Sequence, residues 1–450
     1  MSEFNTIRVV EIPQASGSSV GAVVKVKGSH SSTTVKTDNK GNTSGYIKWG
    51  ANDNYPQDVI KKVKKNGAAG SGLRLLQRAH YGNGLAIYKT SRDSETKKRK
   101  VDYYDFDEFP AINSFMRNNR IAIFTQGIIK DLEWFGIAFP EFVLSNDFKE
   151  IVSAKRQQAS WCRYAMPNSN GTVDKLYISS LFGTKTNIDV DKNDFVSSTA
   201  LLSPYMSSDE VLQYCKENKI HKFVIPIFFP LLDESYYPVP EWHAIITSKW
   251  LEVANSVPKF KLGIFNNQVS IKYQIEIDEE HFKKLYEADW IKFPIDKKLQ
   301  IRDDLIQALT DNLGGTDNGG KSINSIMYTD SRGQQISTIR ITAIDDKLKD
   351  GSYLPEAEAA NSEVLFALGT DPSLIGAGIP GGKMGSGSGS DKRIAFNLLQ
   401  SFMKSNRDVT IEIFNFISTY NKWEEGLKFG FENVVLETLD KNPTGQTKAI

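Results

Sequence analysis

Gly315-Thr316-Asp317-Asn318-Gly319-Gly320-Lys321-Ser322 is the stretch whose residue types and spacing point most directly to chemistry. It matches G-x-x-x-x-G-K-[ST], in which loop amides cradle phosphates, the lysine reaches the terminal phosphate and the hydroxyl holds magnesium. That chemistry needs a buried strand to deliver the loop and a helix to leave it, so that amides and helix N-terminus converge on the anion. Here the order reads in reverse. A polar helix, 303 to 313, precedes the loop, and 323 to 328 reads as strand after it. The acid that would hold the metal is Asp345, which follows Ile339 to Ile344. That run alternates, as a half-exposed strand does, and lacks the continuous apolar character of a parallel-sheet strand. A nucleotide-hydrolysing enzyme built on Gly315 to Ser322 is therefore the alternative reading. A glycine-rich connection is the simpler one. Ala377 to Met384 nearly repeats the pattern, with Ala in place of the first Gly and Met in place of Ser or Thr.

Other reactive residue types are scattered. His30, His80, His221, His243 and His281 stand singly, with no second ligand at metal spacing. Cys162 and Cys215 are too few for a disulfide framework and read as buried thiols. Acidic pairs such as Glu279-Glu280 and Asp303-Asp304 read as solvated helix faces, and no Ser/His/Asp or Cys/His constellation is legible. No catalytic residue, metal or cofactor is expected.

The elements that position these residues belong to a chain of 450 residues, 40 % hydrophobic and 24 % charged, enough for two or three domains. Lys and Arg number 55 against 54 Asp and Glu, so no broad cationic surface holds nucleic acid. A protein that DNA must slide past without sticking is compatible with that balance. The N-terminus lacks a signal-peptide pattern, and the longest apolar stretch, Phe223 to Leu232, is short and broken by Pro226 and Pro230.

Residues 14 to 48, rich in Ser, Gly and Thr, read as a flexible arm. Asn54-Tyr55-Pro56 opens a helix, and a second runs from 73 to 79 and stops at Gly82-Asn83-Gly84. Residues 85 to 104 form a hairpin with a basic tip, Lys97 to Lys100, that reads as solvated. Helices fill 112 to 134, and short strands and turns fill 136 to 196. Phe223 to Leu232 is a buried extended run. A helix carries Trp242, Ile245, Ile246, Trp250, Val253 and Ala254 and ends at Pro258. Residues 259 to 277 then alternate as strand with a turn at Asn266-Asn267. Asp278 caps the next helix, Pro294 interrupts, and a polar helix spans 297 to 313. Two strands follow around a turn at 330 to 333. Pro355 starts a helix that ends at Gly369. After a glycine-rich loop, 376 to 390, Asp391 caps a long helix whose single apolar face is Ile394, Leu398, Phe402, Val409, Ile413 and Phe416.

Four stretches in this order resemble tailed-bacteriophage portal proteins, and the similarity spans 46 to 420. They are Trp49 to Pro56 with the helices ending at Gly82-Asn83-Gly84-Leu85; Tyr237-Pro238-Val239-Pro240-Glu241-Trp242; Gly315 to Lys321 after a polar helix; and Thr370-Asp371-Pro372-Ser373-Leu374-Ile375-Gly376 followed by a glycine-rich loop and a long helix. The sequence departs from the family in the long insert broken by Pro294 and in the short region after 420.

The resemblance implies an α+β subunit with a mixed wing, a two-helix stem, a small strand-helix clip and long tunnel helices. The expected boundaries are an arm at 1–48, wing at 49–240, stem helices at 241–256 and 297–313, and clip at 257–296 between them. Wing strands at 314–350, the tunnel helix, loop and following helix at 351–420, and a tail at 421–450 complete the chain. It also implies a non-enzymatic ring homo-oligomer, a dodecamer in the virion, at one capsid vertex and assembled in the host cytoplasm. Such a ring passes double-stranded DNA without reading its sequence, during packaging and ejection. It docks the terminase large subunit and the head-tail adaptor and contacts the major capsid or scaffold protein, with no membrane partner. Gly381, Gly382, Lys383, Met384, Ser386 and Ser388 would line the channel, with Lys383 as a ring of charge that touches phosphates. Trp250 and Trp290 are candidate subunit-interface anchors, or else fill their own subunit's core.

Overall fold

The computed structural model describes residues 45–92, 99–185, 188–230, 236–268, 273–314, 325–329, 332–343, 354–375 and 389–436, together with three short strands. Two compact units divide the chain: Met1–Glu252 joined by Ala360–Ile450, and Val253–Ala359. The architecture is mixed α+β, as expected.

The first unit opens with an isolated pair, β1 (Arg8–Val9) and β2 (Val24–Lys25). Helix α1 (Tyr55–Val63) has Pro56 in its first turn and buries Pro56, Val59 and Val63. Helix α2 (Gly67–Tyr81) is longer than its apolar spacing indicated, because the Asn66 side chain accepts the Ala69 amide and starts it early. The hairpin β3 (Leu85–Arg92) and β4 (Arg99–Tyr104) follows in the expected place. Helices α3 (Pro110–Asn118) and α4 (Ile121–Phe135) come next, with Gly136 in the left-handed conformation closing the second.

Seven strands then make the main sheet: β5 (Ile137–Leu144), β6 (Ile151–Gln157), β7 (Cys162–Tyr164), β8 (Lys175–Ile178), β9 (Ser197–Leu201), β10 (Lys222–Val224) and β11 (Ile227–Phe228). Central β5 pairs β6 antiparallel on one edge and β10 and β11 end to end on the other. The path continues through β9, parallel to β10, to β8 and β7. The single extended run expected at 223 to 232 is thus two short strands broken at Ile225-Pro226, where proline has no amide for the ladder. The outer edge of β6 is closed by two asparagine side chains. Asn421 accepts the Ile151 amide at 2.7 Å and donates to its carbonyl at 3.0 Å, and Asn119 accepts from Ala154 at 2.9 Å. Side-chain amides mimic a neighbouring strand here and leave less edge for another chain to pair with.

Helix α5 (Ser208–Asn218), between β9 and β10, is absent from the reading of the sequence, although Ser207 and Glu210 form a capping box. The helix expected to carry Trp242 to Ala254 is in pieces. A 3₁₀ turn (Glu241–His243) and α6 (Ala244–Thr247) are separated from α7 (Trp250–Gln268) by Lys249 at φ +70°, which cannot continue a right-handed helix. Pro258 does not end α7, and 259 to 268 is helix, contrary to the strand and Asn266-Asn267 turn expected there. Proline forfeits one backbone bond but leaves the donors after it intact.

In the second unit, α8 (Glu279–Lys292) starts on Asp278, whose carboxylate accepts the Glu280 amide at 3.0 Å. Strand β12 (Tyr273–Ile277) precedes it, and α9 (Ile295–Gly314) follows Pro294. Strands β13 (Met327–Thr329) and β14 (Gln335–Ser337) form a hairpin, and β15 (Ile339–Ala343) pairs antiparallel with β12, Ile275 opposite Ile341.

The chain returns to the first unit through α10 (Leu354–Ala367), then α11 (Pro372–Ile375), α12 (Gly389–Phe402) and α13 (Lys404–Tyr420). The one long helix expected after Asp391 breaks at Met403. Strand β16 (Lys428–Phe431) adds to β3, and β17 (Val434–Val435) pairs β18 (Lys448–Ala449). Two large apolar cores and a smaller one around Tyr46 and Phe182 lie in this unit. One large core gathers Trp49, Leu73, Phe139, Trp242 and Leu368, and the other Ile128, Phe142, Phe223, Phe414 and Phe429.

Candidate functional site

Gly381, Gly382, Lys383, Met384, Ser386 and Ser388 lie outside the described residues, as does Gly315 to Ser322. What the structure describes is the frame around each loop. Helix α9 precedes the 315–324 segment and β13 follows it, so helix comes before the segment and strand after it, the reverse of the order around a phosphate-binding loop.

The 376–388 segment runs from α11 to α12. Its entry packs closely on α2: a Cβ on Gly72 would lie 2.6 Å from Leu368 Cδ1 and 3.3 Å from Thr370 Oγ1, so a larger residue there would push the leucine side chain of the α10–α11 turn aside. Its exit helix is held by a buried polar joint. Arg407 of α13 donates from Nε to the His80 carbonyl at 2.9 Å and from Nη2 to the Ala79 carbonyl at 2.5 Å, at the C-terminal end of α2. The same guanidinium reaches Gln400 of α12 at 2.7 Å and the Asn433 side chain. Burial pushes it down to about 10, which leaves it charged at neutral pH. Gly82, at φ +54°, follows α2; a Cβ there would strike the Glu432 carbonyl at 2.5 Å.

Beside this joint, Glu133 Oε1 lies 2.7 Å from His80 Nδ1, and His80 Nε2 lies 3.0 Å from Thr410 Oγ1. The order carboxylate, imidazole, hydroxyl matches a nucleophilic triad. The three residues are 4 %, 0 % and 0 % exposed, so no substrate reaches the hydroxyl. Asn406 also donates to Glu133 Oε1, at 3.1 Å, and the network joins α2, α4 and α13. Neither partnership was visible in the sequence.

A buried ion pair joins β7 to the segment before α1. Arg163 of β7 donates from Nε to Asp53 Oδ1 and from Nη2 to the Asp53 carbonyl at 2.8 Å. Trp49, stacked on Tyr237 at 4.4 Å, lies under that guanidinium at 5.6 Å.

Trp250 is half-buried against the first unit's core. Trp290 is 2 % exposed and stacks on Phe282 at 4.9 Å, so it fills the interior of its own unit. The apolar face expected along 394 to 416 divides. Ile413 is buried and Phe416 packs partly, whereas Ile394, Leu398 and Phe402 point to solvent, because α12 turns Leu399 and Gln400 inward instead.

His243 follows the Pro238-Val239-Pro240 entry, its ring 4.9 Å from Tyr55 and its Nε2 buried without a partner among the described residues. Burial first, then Lys62, lowers it to about 4. A histidine depressed in the fold stays neutral there while the unfolded chain takes up a proton. Stability therefore falls as pH drops from about 6.5 to about 4 and levels below that. His243→Leu is expected to flatten this limb: urea midpoints at pH 7.5 and 4.5 should differ less in the variant than in the parent.

Among the described residues, no cluster of His, Cys, Asp or Glu is placed to hold a metal ion, and no helix is long and apolar enough to cross a membrane. Both cysteine thiols are buried and pushed up by burial.

No protein-family model and no curated protein matches the chain. Solved structures do. A chain from the neck of an empty gene transfer agent particle computed with C6 symmetry aligns with TM-score 0.53 at 15 % identity, over 89 % of this chain and 89 % of its own. A chain from the virion of a native gene transfer agent particle gives 0.52 at 15 %, over 88 % and 86 %. A third, from the neck of a native particle computed with C12 symmetry, gives 0.51 at 14 %, over 86 % of both. The likeness is one of fold, and it runs nearly end to end.

Proposed function

We propose that this chain is a portal subunit. It forms a ring, a dodecamer in the particle, whose axis is a channel for double-stranded DNA at one capsid vertex during packaging and ejection. The observation that carries the reading is the end-to-end fold likeness to chains of particle necks, one of them in an assembly computed with C12 symmetry. The order of the four sequence stretches supports it independently. In this reading the 376–388 loop faces the axis and Lys383 supplies one phosphate contact per subunit, without sequence readout. The clip docks the terminase large subunit and later the adaptor, and capsid or scaffold protein surrounds the wing. The subunit itself hydrolyses nothing; a separate motor does the work.

Electron microscopy of the purified protein, with class averages sorted by rotational symmetry, tests this. Closed rings with a central hole near the width of duplex DNA are expected, and Lys321→Ala should leave them unchanged. A monomer that hydrolyses nucleoside triphosphate, and loses that activity with Lys321→Ala, would overturn the reading in favour of the enzyme alternative.

A further inference from the structure

Among the described residues of the Val253–Ala359 unit, few apolar side chains are buried. Its buried apolar residues among those described are Ala254, Phe282, Trp290, Leu309 and Ile339. Twice as many large apolar side chains of the unit stand exposed, Leu262, Leu285, Ile291, Ile295, Leu299 and Ile306 among them. The other unit has the opposite balance, with two large cores. Exposed apolar surface on this scale marks a contact with another chain.

Two of its exposed surfaces differ in charge. On α9, Leu299, Asp303 and Ile306 recur at spacings of four and three and lie on one solvent-facing stripe, with Ile295 one turn before. The cations of α9 are turned elsewhere: Lys297 lies over Phe293 at 4.2 Å, Lys298 over Trp290 at 5.6 Å and Arg302 over Phe282 at 5.7 Å. The stripe is therefore apolar and acidic. On α7, exposed Lys259 and Leu262 make an apolar and basic surface. Neither Asp303 nor Lys259 forms an ion pair among the described residues.

We propose that a second copy of this chain completes the unit, the Leu299–Asp303–Ile306 stripe of one copy packing on the Lys259–Leu262 stretch of α7 in the next. This rests on the ring reading and names the surface through which the ring closes. Two distinct faces per copy give the head-to-tail contact a ring requires. The acidic stripe is unsuited to DNA, which selects cations. A different protein on the stripe is the competing occupant.

The full-length protein, its Leu299→Glu variant and the charge swap test this by sedimentation and microscopy. In Leu299→Glu the concentration at which half the chains are in rings should rise at least about tenfold. The circular dichroism of the unassembled chain should not change, because the side chain is already exposed. Asp303→Lys should weaken rings, and Lys259→Asp in the same chain should restore them. Rings from the parent that persist in Leu299→Glu overturn this proposal and leave the ring reading standing. Loss in Asp303→Lys without rescue overturns the pairing with α7 and points to the other occupant. A parent that never closes into rings overturns both.

Discussion

Asp53→Ala is expected to lower the stability of the first unit by about 3–5 kcal/mol, the range for removing one partner of a buried ion pair. Arg163 is wholly inaccessible and Asp53 nearly so. Without the carboxylate the guanidinium keeps only carbonyl partners, those of Asp53, Cys162 at 2.8 Å and Ser160 at 3.3 Å. The Trp49 amide at 3.0 Å and the Tyr46 hydroxyl at 3.1 Å lose their acceptor too. Asp53 also sits at φ +57°, where alanine is strained and asparagine is tolerated. Asp53→Asn should therefore fall between parent and Asp53→Ala. The double variant Asp53→Ala, Arg163→Met should recover much of the loss by removing the stranded charge. Urea unfolding midpoints of the four proteins measure this. Equal midpoints for parent and Asp53→Ala would mean the pair contributes nothing.

That pair also marks the boundary between what the residues announce and what only folding assembles. Trp49 to Pro56 is readable as the approach to a helix because Pro56 and the helical spacing after it are local signals. The cap at Asp278, the hairpin at 85 to 104 and the helix after Pro355 are local in the same way. Helix α5 was equally local, since Ser207 and Glu210 stand at capping-box spacing, and was legible in principle. Pro258 misled because a proline inside a helix weakens it without always stopping it. Partners remote in sequence leave no such trace. His80 meets Glu133 across 53 positions and Thr410 across 330, and β16 meets β3 only after most of the chain has passed. The frame of the 376–388 loop is built from these distant contacts. Sequence could name the segment but not the joint that holds the helix after it.

Replacing that joint's central residue has the second large effect. Arg407→Ala is expected to cost about 3 kcal/mol, since it strips buried acceptors of their donors and leaves a cavity. The acceptors are two carbonyls at the end of α2, Gln400 on α12 and Asn433 after β16. They surround a planar fork, and an ammonium has neither the spread nor the planarity to serve all four. Arg407→Lys should therefore lose most of the same stability although it keeps the charge, whereas a purely Coulombic role would let lysine substitute. The damage should also be local. Helix α12 carries Gln400 and begins where the 376–388 loop ends, so its amides should exchange with solvent sooner in Arg407→Lys, together with those of β16. The β5–β6 pair, whose free edge is closed by Asn119 and Asn421, should exchange as in the parent. Exchange that rises equally everywhere would show that Arg407 supports the whole unit. Exchange confined to α12 and β16 would show that it sets the helix that carries the loop, and such a variant should still form rings with the loop's exit loosened.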